Sequence, residues 1–181
     1  MTLLRSQRVY SGRIVSLDID EVRFPNGTLG SLEMLRHSGA SAVVPFLDDP
    51  RATDPRILLI RQFRHATDGF LWEIPAGRRD GAEAPEMTAT RELREETGHS
   101  CTHLEKLTWI WTTPGFTDET IHLYMATGLT PGAADLEADE VLDVHVLRWS
   151  EARAMIGRGE IVDAKTLVAL LYIETTVRST K

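Results

Sequence analysis

The chain has 181 residues, 42% hydrophobic and 26% charged, proportions that suit one folded domain with a terminal extension. Its net charge of −7 and the lack of a basic stripe argue against a nucleic-acid partner, and any anionic substrate would need local arginines and cations. The single cysteine, Cys101, excludes an intrachain disulfide. With no membrane-length apolar run and no signal-peptide core, the expected location is the cytoplasm.

Residues 9–24 alternate in part through Ile14, Leu17, Ile19 and Val22 and predict a strand. Pro25-Asn26-Gly27 is a turn signal, and residues 31–37 are predicted to return as the second arm of a hairpin. This divides the chain into an N-terminal hairpin region, 1–38, and a domain over 39–181. Residues 42–47 predict a short apolar strand, 48–55 a polar loop, and 56–63 and 70–74 two more strands. A helix should begin at Pro85, whose fixed φ suits a first turn, run through Glu96 and stop at Gly98. Met87, Ala89 or Thr90, and Leu93 are its predicted apolar stripe. Strands at 103–111 and 120–127 flank an irregular turn at 112–119, and a loop over 130–139 precedes a strand at 141–149. Ser150 is expected to cap a helix near 151–157, and Asp163 another near 164–176. Strands, a helix, strands and then helices predict an α+β (mixed α/β) class, with a sheet between helices.

The chemistry concentrates in residues 77–99, GRRDGAEAPEMTATRELREETGH. Glu92 and Glu96 are four apart and share a helix face, with Glu95 beside them. Like charges at this spacing cost about 0.2–0.5 kcal/mol per pair, and a divalent cation would offset that repulsion. Hard cations such as Mg²⁺ prefer carboxylate oxygens; Mn²⁺ accepts the same ligands. An isolated acidic face of this kind is usually only solvated, so the weight rests on the full spacing. Just upstream, Gly77 permits close backbone approach and leaves the Ala76 carbonyl free to reach a metal. Arg61 and Arg64 close a strand; three apart, they point to opposite faces, so one is expected to serve the site, with a planar fork suited to paired hydrogen bonds to an oxyanion. Pro114-Gly115-Phe116 force an irregular turn of the kind where binding residues sit. Trp72, Trp109, Trp111, Phe116 and Tyr124 are candidates to stack on a base, although core packing is the commoner fate of any one of them. His65, His99, His122 and His145 show no metal spacing and receive no role.

Stripped to its fixed positions, the segment reads G-x5-E-x7-R-E-U-x-E-E-x-G-U, with U a bulky aliphatic. It resembles the Nudix box, departing only at His99, where an aliphatic is usual. The stretches GRIVSLDIDEVRFPNG, RQFRHATDGFLWEIPAG, PGFTDE and GEIVDAKTLVAL resemble the ADP-ribose pyrophosphatase branch, so the resemblance covers nearly the whole chain. It implies a Nudix-type α/β/α sandwich with an N-terminal β-hairpin extension, usually a homodimer packed through N-terminal strands. It also implies Mg²⁺-dependent hydrolysis of a nucleoside diphosphate sugar, ADP-ribose first. The ions would be held by Glu92, Glu96, the Ala76 carbonyl, Glu95 and Glu140. Glu140 or Glu137 would orient or deprotonate the attacking water, Arg91 would support the helix carboxylates and Glu83 would hold the loop. Arg61, Arg64, Trp72, Pro114, Gly115 and Phe116 would meet the substrate. The alternatives are another Nudix substrate (GDP-mannose, NADH, a dinucleoside polyphosphate) or a sensor domain that binds ADP-ribose uncleaved; sensors typically lose a box carboxylate, and this chain keeps all three.

Overall fold

The structure is a computed structural model that describes residues 1–136 and 140–179. It divides into two compact units, one of residues 1–39 with 111–120, the other of residues 40–110 with 121–181.

The first unit is an antiparallel meander of β1 (Thr2–Ser11), β2 (Ser16–Arg23) and β3 (Leu29–Arg36). The predicted single strand over 9–24 is therefore two strands, broken where the Gly12 N–H bonds to the Val15 carbonyl. Every residue of β1 is exposed, so no face is selected for apolar side chains and no period-2 signal marks it. On β2 the fully buried side chains are Asp18, Asp20 and Val22, whereas Leu17 and Ile19 are half-buried and Ile14 is exposed. The two aspartates tolerate burial because Arg8 and Arg36 pair with Asp18, Arg36 pairs with Asp20, and the Ser6 hydroxyl donates to Asp20 at 2.7 Å.

The second unit is built on β4 (Ala40–Pro45), every residue of which is buried, as a strand covered on both faces requires. β5 (Arg56–Arg64), β6 (Gly69–Glu73) and the short β7 (Ala76–Arg78) lead to α1 (Pro85–Thr97). After it come β8 (His99–Ser100), β9 (His103–Trp111), β10 (Thr120–Thr127), β11 (Thr130–Pro131), β12 (Leu142–Arg148), α2 (Trp149–Gly157) and α3 (Ala164–Thr176). One sheet has the order β7-β4-β10-β9, with β4 and β10 parallel; a second has the order β12-β5-β6, all antiparallel. Alternate residues of β4 and β10 feed opposite layers. Val44, Leu123 and Met125 join Trp149, Leu170 and Ile173 of the C-terminal helices, while Val43, Tyr124 and Ala126 pack with Ala89 and Leu93 of α1. A sheet between helices is the expected class. Among the described residues no helix is long and apolar enough to cross a membrane.

Local signals vary in reach. α1 starts at Pro85 and ends at Gly98, whose φ of 70° is left-handed and whose N–H bonds to the Arg94 carbonyl, as predicted. Asp163 caps α3, accepting from the Thr166 N–H at 3.0 Å. Ser150 does not cap α2: it lies inside the helix, and the carboxylate of Asp54, far away in sequence, accepts from both its N–H and its hydroxyl at 2.9 Å. The predicted apolar stripe of α1 is also corrected. Met87 is 63% exposed and Thr90 is exposed; the buried face carries Thr88, Ala89, Glu92, Leu93, Glu96 and Thr97.

Candidate active site

Two of the three box carboxylates on α1 are buried, not solvated: Glu92 is 6% exposed and Glu96 1%. What they face is the start of β7. The Ala76 N–H donates to Glu96 Oε2 at 2.9 Å, and Ser41 and Gly77 pair across β4 and β7. The Glu92 carboxylate lies so close to the Gly77 backbone that a Cβ there would overlap it. Gly77→Ala must push that carboxylate aside. A side chain that takes part in catalysis costs about 100-fold in rate when misplaced by about this much, so kcat/KM should fall about that far while the melting temperature holds. An unchanged kcat/KM would show that the Glu92 position is immaterial.

Arg91 organises the remaining carboxylates. It donates to Glu92 at 2.7 Å, to Glu95 at 2.9 Å, to both oxygens of Glu83 at 3.2 and 3.3 Å, and to the Arg78 carbonyl at 3.0 Å. Glu83 also accepts from the Thr88 hydroxyl at 2.8 Å, which ties the loop before the helix to its first turn.

Even so, negative charge is in excess. Burial, then the charges of Glu95 and Glu140, push Glu92 up to about 7 against the pull of Arg91. Burial, then Glu92 and Glu140, hold Glu96 well above the carboxylate range, opposed by the Ala76 N–H and Lys165. Glu140 thus stands near enough to act on both. Glu137 lies outside the described residues. Among the described residues no three His, Cys, Asp or Glu side chains form a ready cage for a metal ion. A closed cage is not what Mg²⁺ asks for; it is bound through one or two carboxylates and keeps waters and substrate phosphates as its other ligands. Two carboxylates with raised pKa values beside the backbone of β7 fit such an ion.

Arg61 and Arg64 go to opposite faces of β5. Arg61 is exposed, its guanidinium 5.2 Å from the centre of the Phe70 ring. Arg64 shares a face with Glu73, which sits opposite Ile60, and donates to it from Nε and Nη2 at 2.8 Å each. Glu73 and its second partner, Lys165, are buried, and the sequence reading assigned neither a role. The available signal was an acid in an apolar strand and a lysine in the first turn of a helix. Trp72 is half-buried and meets the His145 ring edge-on at 4.7 Å; Tyr124 is 1% exposed, in the core beneath α1, and offers no ring to a base. Trp109 is about half exposed.

Pro114, Gly115 and Phe116 belong to the first unit and are exposed. Their segment adds to β3 in parallel: the Leu35 N–H donates to the Phe116 carbonyl at 2.8 Å, and the Asp118 N–H to the Leu35 carbonyl at 3.2 Å. Asp118 then accepts from the His37 N–H at 2.8 Å and pairs with Arg36 at 3.4 Å.

The family model of the NUDIX domain matches residues 36–170. The methanol dehydrogenase activator of Bacillus methanolicus is 39% identical over 173 residues, 94% of this chain and 91% of that protein. The ADP-ribose pyrophosphatase of Bacillus subtilis (strain 168) is 34% identical, with the same two shares covered. A solved structure described as an ADP compounds hydrolase superposes with a TM-score of 0.80 at 21% identity, over 96% of this chain and 92% of that one, a likeness of fold.

Proposed function

The chain belongs to the Nudix family, and on that premise we propose that it hydrolyses the diphosphate of a nucleoside diphosphate sugar, ADP-ribose, to AMP and ribose 5-phosphate. The observation that carries this is the buried Glu92 and Glu96 pair set against Ala76 and Gly77 of β7, with Arg91 and Glu140 beside it. The relative named ADP-ribose pyrophosphatase supports the substrate.

Glu92, Glu96 and the Ala76 carbonyl, with Glu95 and Glu140, would hold the divalent cation, Mg²⁺ by the hardness of these oxygens, with Mn²⁺ able to replace it. When bound, the cation supplies charge compensation for the diphosphate and a water of lowered pKa. Arg91 keeps Glu92 and Glu95 in place. Arg64 meets the diphosphate with charge-assisted hydrogen bonds; Arg61, on the other face of the strand, is the alternative for this role. Glu140 accepts the proton as the water oxygen bonds to phosphorus and the bond to the bridging oxygen breaks; Glu137 is the other candidate for this role. Trp72, Pro114, Gly115 and Phe116 are assigned to substrate contact.

The test is release of AMP from a panel of ADP-ribose, GDP-mannose, NADH and diadenosine polyphosphates, with Mg²⁺ and with chelator. Chelator-sensitive cleavage favouring ADP-ribose by tenfold, about 1.4 kcal/mol at the transition state, supports the proposal. Preference for another member retires the substrate, and binding of ADP-ribose without cleavage supports a sensor. The 39% identical relative supports a second reading, in which the chain activates a dehydrogenase. A methanol dehydrogenase assayed with and without this chain separates it; no change in rate removes it.

We assign a homodimer to the protein as well. β1 is an edge strand exposed throughout, with Leu3, Leu4, Val9 and Tyr10 at least half exposed, the kind of edge that a partner strand or surface covers. Sedimentation as a monomer at micromolar concentration would overturn that assignment. The single cysteine suits the reducing cytoplasm.

A further inference from the structure

We propose that Lys165 and Glu73 are positioning residues that hold the Arg64 guanidinium ready for the substrate diphosphate, and that the turn at the start of α3 thereby sets substrate affinity. This rests on the reading that Arg64 meets the diphosphate.

The argument starts from burial. The Glu73 side chain is 2% exposed, Lys165 10%, Asp163 17% and Arg64 40%, so a row of charged groups runs from the interior to one solvent-facing guanidinium. A lysine this buried persists only when paired, and Lys165 pairs with Glu73 and, at 3.2 Å, with Asp163. Burial works to raise the Glu73 pKa, but Arg64 and Lys165 outweigh it and keep the carboxylate charged. Lys165 is balanced in turn by Asp163, whose carboxylate also accepts from the N–H and hydroxyl of Thr166 at 3.0 and 2.6 Å, so the row as a whole is neutral and what it does is fix Glu73, and through it Arg64, in place.

The effect on Arg64 is therefore one of geometry. The fork on Glu73 uses Nε and Nη2 of Arg64 and fixes the plane of the guanidinium, while Nη1 takes no part in it. An arginine held in this way has already lost the rotamer freedom that binding would otherwise take. The same turn also holds the connection that leads into Ala76 of β7, because the Ile74 N–H donates to the Thr166 hydroxyl at 2.9 Å. The cluster lies near the carboxylate centre: the Glu96 charge acts on Arg64, and that of Lys165 acts on Glu96.

The experiment is steady-state kinetics with ADP-ribose at saturating Mg²⁺ on the wild type, Arg64→Ala, Lys165→Met, Lys165→Arg and the double variant Arg64→Ala/Lys165→Met, with melting temperatures in parallel. Loss of a charge-assisted contact raises KM about tenfold in Arg64→Ala. Lys165→Met should raise KM about fivefold with kcat within about twofold, as loss of binding shared by ground and transition states requires. Lys165→Arg should restore most of the affinity, and the double variant should be no worse than Arg64→Ala. A general structural defect would instead lower kcat in every background. Should Lys165→Met fail to fold, Lys165→Gln, which keeps a donor to Glu73 without the charge, makes the same comparison. If Arg64→Ala raises KM and the Lys165 variants leave it unchanged, the positioning role alone is wrong. If Arg64→Ala itself leaves KM unchanged, the diphosphate reading of Arg64 falls and takes this inference with it. A wild type that leaves ADP-ribose uncleaved overturns the proposed function itself.

Discussion

Glu92→Gln is expected to lower kcat/KM for ADP-ribose about 1,000-fold, about 4 kcal/mol at the transition state, while the protein stays folded. The substitution keeps the shape that fits against Gly77 and the acceptor oxygen that Arg91 reaches. It removes the negative charge on which cation binding depends. Folding should not suffer, because this carboxylate is almost wholly buried and its pKa is pushed up to about 7, so a neutral group suits its surroundings. Turnover near the wild-type rate at saturating Mg²⁺ would show that Glu92 is not a cation ligand. A variant that unfolds would show instead that its charge is structural.

The cation-free protein should be markedly less stable at pH 8 than at pH 5, and Mg²⁺ should remove most of the difference. The folded pKa of Glu92, about 7, lies above its unfolded value near 4.5. The folded state therefore binds a proton that the unfolded state has released. Stability from this group is fully present below about pH 4.5 and is lost as pH rises through 7, a change of about 3 kcal/mol. Glu96 is shifted in the same direction and adds to the loss. Urea melts at pH 5 and 8 in chelator, repeated with Mg²⁺, read this directly, and Glu92→Gln should flatten the slope. Equal stability at the two pH values in chelator would mean that the buried carboxylates carry no unbalanced charge.

Both results bear on how a cation site survives without its cation. Arg91 alone touches Glu83, Glu92 and Glu95, so part of the carboxylate charge is compensated within the chain. Glu96 has no such ion pair with Arg91; a single backbone N–H and the more distant Lys165 oppose its shift. Burial of these carboxylates with only partial compensation is the cost that a bound cation would relieve.

How much of the site was legible in the sequence depends on the range of the interaction involved. Spacing along α1 brings Glu92, Glu95 and Glu96 together because a helix repeats every 3.6 residues, and the bounds of that helix were written in Pro85 and Gly98. The Asp163 cap was legible for the same reason, since donor and acceptor are three residues apart. The burying face of α1 was not, because Met87 is the more apolar side chain and yet faces solvent, while Glu92 and Glu96 turn inward to Ala76 and Gly77 of β7. β1 left no pattern, since a strand exposed on both faces imposes none.

By itself the sequence determined the family and the α+β order of elements, both products of spacing over a few turns of chain. Only the tertiary structure decided that Asp54 and not Ser150 caps α2, that Arg64 is held on Glu73, and that Lys165 stands behind both. These partners are nine to 96 residues apart. No local period records such a pairing, and the fold alone brings the charges close enough for burial to make their interaction strong.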